Sequence, residues 1–140
     1  MEELIETLTR GNVSEVKIVL ASVVLTLAVY QVTLMAVGYG RLRLPFLRPG
    51  PASAAHRAIG DAIVVITIVV ATMCVAYFGF AEDGGSTHIV VATSLLVVLA
   101  FKVAVVRWLH GLGRLLPLLG GAVFVLFAAT WATAAAEYLI

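Results

Sequence analysis

The sequence has almost no cysteine and little charge. Its single cysteine, Cys74, lies in an apolar run. One thiol cannot close an intramolecular disulfide, and no C-x-x-C pair is present for a metal or haem-attachment site. Charged residues make up 12% of the chain, against roughly a quarter in a soluble domain. The net charge of +1 leaves no basic footprint for nucleic acid. A phosphate-binding loop, a Ser-His-Asp set and a zinc-ligand cluster are all missing, so the chain does not read as an enzyme of the soluble type. A positively charged start is missing too. Glu2, Glu3 and Glu6 stand where a secretory signal carries lysine or arginine, so the first apolar segment is expected to be mature structure.

What is abundant is apolar surface. Hydrophobic residues make up 62% of 140 residues, more than so short a chain can bury in its own core. Lipid is the natural solvent for the rest. Four apolar runs, at 18–37, 58–80, 89–106 and 115–136, reach the roughly 20 residues a helix needs to cross a bilayer. The expected fold is all-α: a single integral membrane domain over 1–140, a four-helix bundle with spans at about 14–38, 54–80, 87–109 and 114–137. Local chemistry marks the ends. Asn12 with Glu15 has the form of a capping box. Pro45, Pro49, Gly50 and Pro51 break the chain, and Ser53 can cap the second span. Gly84 and Gly85, followed by Ser86 and Thr87, turn into the third span, and His110, Gly111 and Gly113 turn into the fourth. An additional short segment at 1–11, with Leu4, Ile5 and Leu8 on one face, reads either as an interfacial helix or as a frayed tail.

Arg41, Arg43, Arg48 and Arg57 flank the first turn, and Arg107 and Arg114 the third, whereas the second carries only Glu82 and Asp83. By the positive-inside rule the arginine-bearing turns face the cytoplasm, and both termini face outward, N-out and C-out, in the plasma membrane. Trp108 at one rim, with Tyr77, Phe78, Phe80, Trp131 and Tyr138 toward the other, fits an interfacial belt.

Ionisable groups inside spans default to functional hypotheses. Gln31, Asp61 and Lys102 fall in one layer, roughly 6–10 Å inside the cytoplasmic boundary by helical rise. Asp61 and Lys102 are placed to pair there. The pair reads as a structural register pin, or as a proton- or quinone-facing site, with snorkelling of Lys102 as a third outcome. Three histidines carry the redox reading. A haem b iron can take two imidazoles from facing helices at similar depth, which suits His56 and His110 at the cytoplasmic rim. His88 opens the third span at the other rim, where Met73 is the one plausible second ligand. Each histidine can equally be a wet interfacial side chain. Gly120 and Gly121 leave room for a macrocycle or for close helix packing. Arg57 and Arg114 can pair with propionates.

The stretch Ser53-Ala-Ala-His56-Arg57-Ala-Ile-Gly60 resembles the S-x-x-H-R-x-x-G opening of the cytochrome b subunit of succinate dehydrogenases. That resemblance implies a quinone site at Ser53 and Arg57 and haem ligation by His110. It covers one short motif and the helix order. His56-Arg57-x-x-Gly60, followed by His88, Lys102 and the Gly-Gly fourth span, is also similar to an uncharacterised actinobacterial family of four-helix membrane proteins across most of 56–137. Members of that family carry a histidine at the position of Met73, which implies a Met73–His88 pair.

Three functions compete. The first is a small b-type haem protein or quinone-linked electron-transfer subunit, with one or two haems. The second is a haem-free accessory subunit packed in a larger membrane complex or homo-oligomer. The third is a transporter using Gln31, Asp61 and Lys102, ranked last because one polar layer is not a path across a bilayer.

Overall fold

The computed structural model describes residues 2–79 and 86–139. The turn expected at Gly84–Gly85, the acidic pair Glu82 and Asp83, and Phe80 lie outside the described residues, as do the side chains of Tyr77, Phe78, Ser86 and Tyr138.

The chain folds into a short helix, α1 (Glu2–Thr9), and four long ones: α2 (Val13–Gly38), α3 (Pro49–Met73), α4 (Ser86–Arg107) and α5 (Leu116–Leu139). All four long segments are long and apolar enough to cross a membrane, with mean hydropathy from 2.0 to 2.7. At most 17% of the most apolar stretch of any one is buried within the fold, so most apolar side chains point outward, as lipid requires. This is an all-α membrane bundle.

Several hydroxyls inside the helices are satisfied locally. The hydroxyls of Thr26, Thr67, Thr72, Ser94 and Thr130 each donate to the carbonyl four residues earlier, at 2.7–2.8 Å. A hydroxyl bonded in this way exposes no unpaired polar atom to hydrocarbon.

Several boundaries differ from expectation. Asn12 occupies the N-cap of α2 but makes no side-chain cap bond. The prolines do not precede the second span; they open it. Pro49 is the first residue of α3, with extended Arg48 at the N-cap and Pro51 in the first turn. Proline fits there because the first N–H groups of a helix have no internal partner. Ser53 therefore sits within the helix rather than at its cap. At its far end α3 widens into a π-helical turn, Cys74–Phe78, which stops at Gly79 in the left-handed region at φ 62°. A 3-10 turn, His110–Leu115, leads into α5.

The helices form an up-and-down ring. α2 packs closely on α3 and on α5, and α5 on α4, while α3 and α4 leave the loosest seam. Val24 and Ala28 from α2, Ile63 from α3, Leu95 and Leu99 from α4, and Val123 and Phe127 from α5 meet at the centre. A second cluster, Leu34, Val37 and Ala52, closes α2 onto α3 near the arginine-rich turns. A third, Ile5, Val13 and Met73, lies at the opposite end, beside the termini.

Candidate functional site

The central core stops abruptly toward the arginine-rich end. Stepping three residues, about 4.5 Å along each axis, from Ala28, Ile63, Leu99 and Val123 arrives at Gln31, Gly60, Lys102 and Gly120. Each helix thus leaves its hydrophobic stripe at the same level, and the four contribute an amide, a cation and two glycines. His56, one turn from Gly60 on α3, joins the layer through Gln31.

Gln31 and His56 hold one another reciprocally. The Gln31 Nε2 donates to the His56 carbonyl at 2.7 Å, and the His56 ring lies 3.3 Å from the Gln31 carbonyl through Nδ1. A carbonyl only accepts, so Nδ1 carries the proton, and the lone pair of the neutral ring sits on Nε2. Among the described residues Nε2 makes no hydrogen bond. Gly60 makes room for this arrangement. A Cβ there would stand 3.1 Å from the Gln31 Nε2. The spacing His56-x-x-x-Gly60 is one helical turn, placing the ring and the gap on one face.

Two groups in the layer lack a match. The Gln31 Oε1 is buried with no hydrogen-bond partner among the described residues. A buried acceptor left unpaired costs about 1–3 kcal/mol. Lys102 is half-buried on the core stripe of α4 and makes no ion pair among the described residues. Its ammonium lies within electrostatic range of the His56 imidazole. At the same level Gly120 and Gly121 are uncrowded, since an ideal Cβ at either meets nothing within 4 Å. Close packing therefore does not explain those glycines within the single chain.

Asp61 does not pair with Lys102. It binds Arg107 at 3.0 Å across the α3–α4 seam, with side chains 70% and 58% exposed. Asp61 is one residue past Gly60 and so turns about 100° away from the layer, where the longer reach of Arg107 meets it first. Ser53 lies against α2, with its Oγ 3.2 Å from where a Gly38 Cβ would be. Arg57 and Arg114 are exposed at the same end.

The remaining histidines lie apart. His110 is exposed on the turn before α5. His88 lies on α4 toward the termini and contacts Thr133 of α5, Nδ1 to Oγ1 at 2.8 Å. Met73 turns the other way, into the cluster with Ile5 and Val13. Among the described residues no group of three or more His, Cys, Asp or Glu side chains gathers to hold a metal ion. The Gln31–His56 reciprocity, the Thr133 partner of His88 and the Trp131 Nε1 bond to Ser22 at 3.0 Å were not anticipated from sequence. Of these, only the four-residue interval from His56 to Gly60 left a signal in the sequence.

Fold and site together define a small polytopic membrane protein with a polar layer closing one end of an apolar core. The chain belongs to a family of unknown function, DUF6529, whose model matches residues 4–140. No curated protein and no solved structure matches it.

Proposed function

We propose that the protein is a quinone-linked electron-transfer subunit of the plasma membrane, with its arginine-bearing turns in the cytoplasm and the polar layer holding the head group. One observation carries this reading. Among the described residues, the layer holds a cation without a counter-ion and a buried acceptor without a donor, at the level of the uncrowded Gly120. A quinone accepts hydrogen bonds at its carbonyl oxygens and a quinol donates them from its hydroxyls. Lys102 supplies the donor, Gln31 Oε1 the acceptor, and His56 Nε2 a base at the same level for a hydroxyl proton. The ligand is lipid-soluble, and the loose α3–α4 seam gives it lateral access. The chain has no redox group of its own among its side chains, so a partner subunit or a bound cofactor supplies the other redox centre.

The resemblance of Ser53–Gly60 to the succinate dehydrogenase cytochrome b motif supports the same class. It places quinone at Ser53 and Arg57, whereas the unmatched groups favour Gln31, His56 and Lys102. A photoreactive azidoquinone tests this. Labelling of α2 or α4 near Gln31 or Lys102, competed by unlabelled quinone, is expected. Labelling confined to other segments, or not competed, overturns the proposal.

A specific observation favours haem b as that second centre. A ligating histidine commonly donates its other ring N–H to a backbone carbonyl, which is what the Nδ1 of His56 does. In this second reading, which replaces the quinol-proton role because one lone pair cannot serve both, His56 would hold the iron through Nε2, with His110, or His110 of a second copy, as the other imidazole. The haem supplies one-electron chemistry when bound. A Soret band lost on His56→Ala supports it, and a colourless preparation from haem-replete cells refutes it.

A further inference from the structure

Among the described residues, α1 is the most amphipathic helix, and it divides into distinct strips. Leu4 and Leu8 share one strip, Ile5 and Thr9 the next, and Glu6 stands opposite the leucines. Ile5 is 8% exposed and clusters with Val13 and Met73, and Val16, Leu20 and Ala76 pack against that cluster. Helix α1 therefore turns its Ile5 side toward α2 and the end of α3. The turn that allows this uses Arg10 at φ 51° and Gly11 at φ 79°, closed by a Gly11 N–H bond to the Glu6 carbonyl at 3.0 Å.

With Ile5 turned toward the bundle, the two flanks of α1 face away from each other. Leu4 and Leu8 are 61% and 74% exposed on one flank, and Glu6 is exposed on the other. The hydroxyls of Thr7 and Thr9 donate to the carbonyls of Glu3 and Ile5 at 2.7 and 2.8 Å. They add no unpaired group to the surface. Arg10, Gly11 and Asn12 alone separate α1 from α2, a helix apolar enough to cross a membrane, so these exposed leucines sit at the end of a candidate span.

We infer that α1 is an in-plane membrane anchor at the termini end. Leu4 and Leu8 insert among the acyl chains of the adjacent leaflet, and Glu6 faces the aqueous phase. The occupant of the apolar flank is lipid, because the short connection to the candidate span α2 holds that flank at a membrane boundary. By clamping Ile5 over Val13 and Met73, the anchor ties the ends of α2 and α3 to the interface. This inference is independent of the quinone reading.

Tryptophan quenching by brominated lipid tests it. Leu8→Trp and Glu6→Trp are made in a Trp108→Phe, Trp131→Phe chain and placed in phosphatidylcholine vesicles brominated high on the acyl chains. Emission from position 8 is expected to fall by about two-fold or more, and emission from position 6 far less. Equal quenching at the two positions, or none at position 8, overturns the proposal. If the double phenylalanine background fails to fold, a nitroxide at Leu8→Cys or Glu6→Cys in a Cys74→Ser chain gives the same comparison through its accessibility to oxygen against a water-soluble relaxant.

Discussion

Replacing Gln31 with methionine separates a structural clamp from a ligand site. Methionine matches the length of glutamine and fits beside Gly60, but it removes both amide atoms. The loss is the Nε2 bond to the His56 carbonyl at 2.7 Å. Interhelical bonds of this kind in membranes contribute about 0.6 kcal/mol on average and rarely exceed ~1.7. The gain is removal of the unpaired Oε1, whose burial costs about 1–3 kcal/mol. The His56 ring keeps its contact with the residue 31 backbone carbonyl in either case. The balance runs from near neutral to stabilising by about 1–2 kcal/mol, with the ligand absent. Reversible unfolding in mixed detergent micelles reads this directly. A loss of more than about 2 kcal/mol would mean that Oε1 is satisfied in the folded protein, and would refute the reasoning from an orphaned acceptor.

Other substitutions probe the same framework. Lys102→Met is expected to leave stability unchanged or raise it while lowering quinone affinity, because it removes a half-buried charge with no ion-pair partner among the described residues; a melting-temperature scan with a binding titration checks both. Gly60→Val drives side-chain carbons into the space that Gln31 Nε2 occupies, 3.1 Å from the ideal Cβ, and should cost about 1–3 kcal/mol in the same unfolding assay. Trp131→Phe removes the bond to Ser22 between α5 and α2, at a cost of roughly 0.5–1.5 kcal/mol by the same measurement.

The long helices were legible in the sequence because each is a long apolar run broken only by isolated polar groups, and in lipid no other backbone state satisfies its own hydrogen bonds. Their starts were less so. Pro49, Gly50 and Pro51 signal a break, yet the same prolines suit a first turn, and only the packing of Ala52 against Leu34 and Val37 decides that the helix begins there. Gln31, His56 and Lys102 were legible as residues too polar for their depth. Helical rise supplies depth but not azimuth, and this separates Lys102 from Asp61. Both count to similar levels, but Lys102 continues the stripe of Leu95 and Leu99 inward while Asp61 faces the outer seam and Arg107. For the same reason His88 and Met73, each near the termini end, turn to different neighbours, α5 and α1.

Titration of a short-chain quinone into the purified protein in lipid nanodiscs measures most directly whether the polar layer is a head-group site. Saturable binding to wild type, lost in both Gln31→Met and Lys102→Met but retained in Asp61→Asn, is the expected result. Binding of equal strength in all four proteins, or none to wild type, would contradict it.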